Sequence, residues 1–174
     1  MDTQRLKSLV RTIPDFPKEG IMFRDITTVL KDGWGMKTAI DEMSQKLRDK
    51  EFDLVIGPES RGFIFATPLA YNMNKGFVLA RKAGKLPAET IAKSFELEYG
   101  EAIIEIHKDA IKKGDKIVIV DDLLATGGTC KAVCELVKEF GATVVAAVFL
   151  IELPEINGRK NLEDYCEVHS ILKY

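Results

Sequence analysis

Apolar positions in this chain recur with two different periods, and the changes of period mark its elements. Ile117 to Val120 is a run of apolar β-branched residues ending in Asp121 and Asp122. A small-residue turn follows, Ala125-Thr126-Gly127-Gly128-Thr129. Helical spacing then runs from Cys130 to Phe140 and stops at Gly141. The layout is strand, acidic tip, loop, helix. Thr143 to Ile151 is almost wholly apolar and predicts a strand buried on both faces.

The same layout occurs earlier. Phe52 to Gly57 predicts a core strand, Glu59-Ser60-Arg61-Gly62 a loop, and the next stretch a helix to about Asn74. Gly76 to Ala80 reads as a short buried strand. Thr90–Leu97 and Glu101–His107 alternate around Tyr99-Gly100 and predict a projecting hairpin. Trp34 to Lys50 reads as a helix with Ile40, Met43 and Leu47 on one face. Asp2 to Ile13 reads as a short amphipathic helix that Pro14 ends. Residues 15–20, preceded by Pro14 and holding Pro17 and Gly20, form a loop. Ile21 to Ile26 is either an edge strand covering the core or a lid over a flat ligand, with Phe23 as the stacking surface. Tyr165 to Tyr174 closes with a strand at a sheet edge. Strands alternating with helices predict an α/β fold with a central, mostly parallel sheet flanked by helices. The hairpin and the N-terminal segment are additions to it.

Composition narrows the class. A length of 174 residues favours one domain with one core. A net charge of −2 provides no strong field for nucleic acid, so any anion site must be local. No apolar run reaches the length of a membrane span, and no partner membrane is expected. Three cysteines without paired spacing suit a reducing cytoplasm, and Cys130 and Cys134 read as small packing residues.

Candidate chemistry gathers after the strands. Ligands of open α/β sheets bind beyond the carboxyl ends of the strands. The helix after Thr129 presents free N–H groups there, and Gly127 and Gly128 let the backbone approach closely, so Ala125 to Thr129 read as a phosphate cradle. Asp121 and Asp122 beside it must accept sugar hydroxyls or help to hold a divalent metal. A sugar phosphate satisfies both halves. The plainer alternative is a βα turn with Asp as a helix cap. Neither the nucleoside-triphosphatase pattern nor the dinucleotide glycine pattern is present. Arg61 sits beside a second helix N-terminus, although alone it would be a solvated turn residue. Arg81-Lys82-Ala83-Gly84-Lys85-Leu86-Pro87 describes a mobile basic loop, suited to diphosphate or simply solvated. An acid at a hairpin tip, Glu98, is normally just solvated.

The segment from Asp121 to Thr129 resembles the signature of the type I phosphoribosyltransferases, which use 5-phosphoribosyl-1-diphosphate. Four further stretches are similar to the adenine-using branch of that family: Asp15 to Thr27, Gly57 to Phe63, Arg81 to Pro87, and Leu97-Glu98-Tyr99-Gly100. The resemblance spans essentially the whole chain. It implies the type I phosphoribosyltransferase fold in a single domain, with residues 1–35 covering the base and 82–107 forming a flexible loop and hairpin. It implies transfer of the phosphoribosyl group to adenine, giving AMP and diphosphate. A related enzyme for another base and a non-catalytic sensor of phosphoribosyl diphosphate are the alternatives.

The site residues follow from the resemblance. Asp121, Asp122 and Ala125, Thr126, Gly127, Gly128 and Thr129 would bind the phosphoribosyl group. Glu59, Ser60, Arg61, Arg81, Lys82 and Lys85 would bind diphosphate. Met22, Phe23, Arg24 and Leu153 would bind adenine, with Phe23 and Leu153 sandwiching the purine. Glu98, with Arg61, would be catalytic, handling the proton that adenine loses. Mg2+ would be bound mainly through substrate oxygens. A homodimer is implied, as is an unusual, cis, peptide in the Glu59–Ser60 region.

Overall fold

The computed structural model describes residues 3–96 and 101–174. They fall into two compact units, Met1–Glu42 and Met43–Tyr174.

In the first unit, α1 spans Thr3–Leu9, and β1, Arg11–Ile13, pairs antiparallel with β2, Phe23–Asp25. The expected helix to Ile13 is therefore too long. Its last three residues give up helical spacing to pair with a partner ten residues on. Arg11 faces Asp25 in that ladder and also bonds its carboxylate. Local periodicity could not register this tertiary pairing. The short helix α2, Thr27–Leu30, follows, and α3, Gly33–Gln45, runs to the unit boundary and beyond it. The helix expected to Lys50 stops five residues sooner, in a string of turns.

The second unit is built on a seven-stranded sheet. Its strands are β3 (Leu54–Pro58), β4 (Gly76–Lys82), β5 (Thr90–Glu96), β6 (Glu101–His107), β7 (Lys116–Leu124), β8 (Thr143–Glu152) and β9 (Glu167–Lys173). Their order across the sheet is β5-β6-β4-β3-β7-β8-β9. β4, β3, β7, β8 and β9 are parallel, whereas β5 and β6 join antiparallel as the expected hairpin. The apolar runs explain the order. Ile56, Ile117, Val118, Ile119 and Val120 are fully buried, and so are Ala146 to Val148, as central strands covered on both faces require. Among the described side chains of β6 only alternate ones, Ile104 and Ile106, are buried, as befits a strand near the edge. α4, Gly62–Asn72, packs on β3, β7 and β4, and α5, Gly128–Glu139, packs on β8, β5 and β6. Cys130 and Cys134 are buried in α5 as packing residues.

Two boundaries differ from expectation. β4 continues through Arg81 and Lys82, which pair with Glu105 and Ile104 of β6. The basic loop thus begins after Lys82. β7 continues past both acids, with Leu123 opposite Ile151 and Leu124 opposite Glu152. The acids belong to the strand itself rather than to a tip beyond it.

Candidate active site

The topology fixes where a ligand can bind. From β3 the chain steps to β4 on one side. It later returns through β7 on the other side of β3. The carboxyl ends of β3 and β7 therefore flank a crevice where the strand order reverses, the usual ligand position in open α/β sheets. A cavity of about 490 Å³ lies there, lined by Glu59, Ser60, Arg61, Lys82, Asp121, Asp122, Leu123 and Thr129. Seven of these eight were picked out from the sequence; Leu123 was not.

The acid pair is held in an unusual electrical environment. Asp122 is buried, with only 5% of its surface exposed. Its Oδ2 accepts from Arg61 Nε at 2.8 Å. Asp121 Oδ1 accepts from the backbone N–H of Asp122 at 2.9 Å. The same oxygen lies 2.9 Å from where a Cβ on Gly62 would stand, so only glycine fits there at the start of α4. Burial and the neighbouring Asp122 charge push the Asp121 carboxyl well above the usual carboxylate range. Burial also raises Asp122, and Arg61 partly opposes it.

The loop after β3 carries a cis peptide between Glu59 and Ser60, as the resemblance implied. Glu59 does not offer its carboxylate to the cavity alone. Its Oε2 accepts from the Lys82 N–H at 3.0 Å and from Arg81 Nε at 3.1 Å. Arg81 also donates to the Lys85 carbonyl at 3.2 Å. A carboxylate thus fastens the root of the basic segment, and Lys82 and Lys85 are left exposed.

The turn after β7 is built as a cradle. Gly127 adopts φ +79, which favours glycine, and caps α5. The Thr126 hydroxyl oxygen accepts from Gly128 N–H at 3.4 Å. Two neighbours of this turn were missed from the sequence. Asn161 Nδ2 donates to the Thr126 carbonyl at 2.8 Å, and Gly158 lies against Ala125. The signal available was the Asn157-Gly158 dipeptide, a turn former that here brings Gly158–Asn161 into a 3-10 helix.

The residues expected to bind the base divide between the units. In the first, Met22 is exposed, Phe23 meets Phe16 edge to face at 5.1 Å, and Arg24 bonds the Thr12 hydroxyl at 2.5 Å. In the second, half-buried Leu153 follows β8, its N–H bonded to the Leu124 carbonyl at 3.0 Å. Glu98 lies outside the described residues.

Comparison with known proteins agrees with this geometry. A phosphoribosyl transferase domain model matches residues 27–170. An adenine phosphoribosyltransferase of Agathobacter rectalis is 56% identical over 169 residues, covering 97% of each chain. This chain belongs to the adenine phosphoribosyltransferase family. The crystal structure of the family member from Thermoanaerobacter pseudethanolicus superposes with a TM-score of 0.95 at 49% identity, covering 99% of both chains. That from Saccharomyces cerevisiae, complexed with an imino-altritol bisphosphate and adenine, gives 0.91 at 37% identity over 98% of both chains. The adenine phosphoribosyltransferase fold is thus the type I phosphoribosyltransferase fold read from the sequence. No described helix is long and apolar enough to cross a membrane.

Proposed function

We propose that this protein transfers the 5-phosphoribosyl group of 5-phosphoribosyl-1-diphosphate to adenine, giving AMP and diphosphate. The observation that carries the reading is the meeting of Arg61, Lys82 and the Asp121–Asp122 pair in one switch-point cavity, in a chain of this family.

The chemistry follows from the charges. Breaking the bond between ribose C1 and diphosphate leaves positive charge on the sugar and negative charge on the leaving group. Arg61, Lys82 and Lys85 bind the departing diphosphate, with Ser60 beside them. Glu59 acts by positioning Arg81 and the Lys82 backbone. Asp121 and Asp122 accept the ribose hydroxyls, and a cationic sugar draws out their ionised form, which burial disfavours in the resting protein. Ala125 to Thr129 hold the 5′-phosphate through backbone N–H groups and hydroxyls. A nitrogen of adenine bonds C1 as its imidazole proton leaves, and Glu98 is the candidate acceptor. Met22, Phe23, Arg24 and Leu153 are the candidate contacts for the base.

Magnesium fits the donor set. Among the described residues no three or more His, Cys, Asp or Glu side chains cluster as a metal cage. Two carboxylates beside a diphosphate site suit an ion held mainly by substrate oxygens. Bound so, it would neutralise leaving-group charge. The reading includes a cytoplasmic homodimer, in which basic-loop residues can come from the partner subunit.

Base specificity is the test. Adenine presents an amino donor where hypoxanthine presents a carbonyl, so a site of backbone acceptors rejects hypoxanthine by about 10⁴-fold or more. AMP is expected from adenine with magnesium, and almost no product from hypoxanthine or orotate. Comparable turnover of adenine and hypoxanthine would contradict the assignment. Binding of phosphoribosyl diphosphate without turnover of any base would favour a sensor.

A further inference from the structure

The loop from Ala125 to Thr129 is braced from outside as well as by its own bonds. Two glycines interlock behind it. A Cβ on Gly158 would stand 1.9 Å from the Ala125 carbonyl oxygen, and a Cβ on Gly127 would stand 2.7 Å from the Gly158 carbonyl oxygen. Real Cβ contacts are essentially never so short, so neither position admits a side chain without moving the backbone of the loop or of the turn behind it. Asn161 completes the grip by donating to the Thr126 carbonyl at 2.8 Å.

The gripping turn is itself anchored from below. Arg159 lies between Gly158 and Asn161. Its Nε and Nη2 donate to Glu152 Oε1 and Oε2 at 2.9 and 2.6 Å, a two-pronged pair. Its Nη1 donates to the Val168 carbonyl of β9 at 2.6 Å. Ser170, also on β9, donates to Glu152 Oε2 at 2.5 Å. Glu152 is the last residue of β8 and sits opposite Leu124, the residue before Ala125. A connected path runs from β9 through Glu152 and Arg159 to Gly158, Asn161 and the loop.

We infer that the Gly158–Asn161 turn is the positioning element for the 5′-phosphate loop, with Gly158 and Asn161 fixing Ala125 to Gly127 and Arg159–Glu152 fixing the turn. Neither Gly158 nor Asn161 lines the cavity that holds the acid pair. They act through the loop, whose N–H groups must be aimed within a fraction of an ångström to grip a phosphate. The inference rests on the reading that this loop takes the 5′-phosphate.

Binding separates the two. Wild type, Asn161→Ala and Gly158→Ala are titrated by calorimetry with phosphoribosyl diphosphate and with diphosphate alone, both with magnesium. Diphosphate alone is expected at Arg61 and Lys82, across the cavity from Ala125 to Gly127, none of which lines it. Loss of one carbonyl bond in Asn161→Ala should weaken phosphoribosyl diphosphate by about fivefold and leave diphosphate unchanged. Gly158→Ala should weaken it more, by at least about tenfold, because the backbone itself must shift. An unchanged Kd for phosphoribosyl diphosphate in Asn161→Ala overturns the inference. Equal loss for both ligands also overturns it, since that marks a merely structural role. Wild type that binds diphosphate but gains nothing from the phosphoribosyl group overturns the loop reading and the inference together. Wild type that binds phosphoribosyl diphosphate but makes no AMP refutes only the adenine assignment, and the titrations still decide the positioning role.

Discussion

Two acids at the same end of the same sheet live in opposite electrical settings. Asp121 on β7 is half-buried at the crevice and Glu152 on β8 is buried, three registers apart on paired strands. Glu152 receives two bonds from Arg159 and one from Ser170, and these partners hold its carboxyl below the usual range. Asp121 receives one backbone N–H and sits beside a second carboxylate, which with burial drives its carboxyl up. Folding alone would favour the Glu152 arrangement for every buried acid. An acid left under-compensated in a crevice at a topological switch point is better explained by a ligand that brings the missing positive charge. The resting site leaves Asp121 under-compensated for a substrate to complete, whereas the acid on the neighbouring strand is fully partnered and helps to hold the site still.

Removing compensation from the satisfied acid should have the largest effect on stability. Glu152→Ala leaves Arg159 half-buried without its partner and should destabilise the protein by about 3 kcal/mol, a fall of roughly 6–12 °C in Tm. Thermal unfolding checks this. A change under 1 °C would mean that Glu152 is no better compensated than Asp121, and the contrast would dissolve.

A smaller effect sharpens the same rule in the first unit. Asp25 is 7% exposed. It accepts from the Thr27 N–H at 2.9 Å and pairs with Arg11. These partners, the Thr27 backbone first, lower its pKa from 3.8 to about 2. A lowered acid stabilises the fold above its ordinary pKa, and that contribution is lost as pH falls through the folded value. The wild-type advantage over Asp25→Asn, about 1–2 kcal/mol at neutral pH, should therefore shrink between pH 4 and 2. Denaturant midpoints at several pH values test it, and an advantage that grew on acidification would reverse the sign.

Legibility in the sequence follows the range of the forces involved. β7 and β8 were plain because long β-branched runs admit little else. The acid pair and the glycine turn were equally plain as a local pattern. What escaped depends on partners far along the chain. Arg11 to Ile13 kept helical spacing but joined β2. Asp121 and Asp122 read as a tip because acids seldom enter buried strands, yet pairing with β8 carries the strand to Leu124. Arg81 and Lys82 read as loop because of their charge, yet Glu59 and β6 hold them in β4. Glu152 showed only as the end of an apolar run. Its partner Arg159 comes close through a turn whose sole sequence mark is Asn157-Gly158, and nothing local predicts that Gly158 meets Ala125.

The most direct measurement is turnover and Tm of wild type and Asp121→Asn on the same preparations. Asparagine keeps an oxygen to accept the Asp122 N–H and removes a charge that burial opposes. A carboxyl with a raised pKa costs the fold stability above that pKa, so at neutral pH the variant should melt at the same temperature or higher, and the difference should vanish as acid protonates the wild-type group. AMP formation should fall by at least about a hundredfold, because the charge that answers a cationic sugar is gone. A variant that loses stability in proportion to activity would contradict the account, for Asp121 would then be an ordinary structural acid.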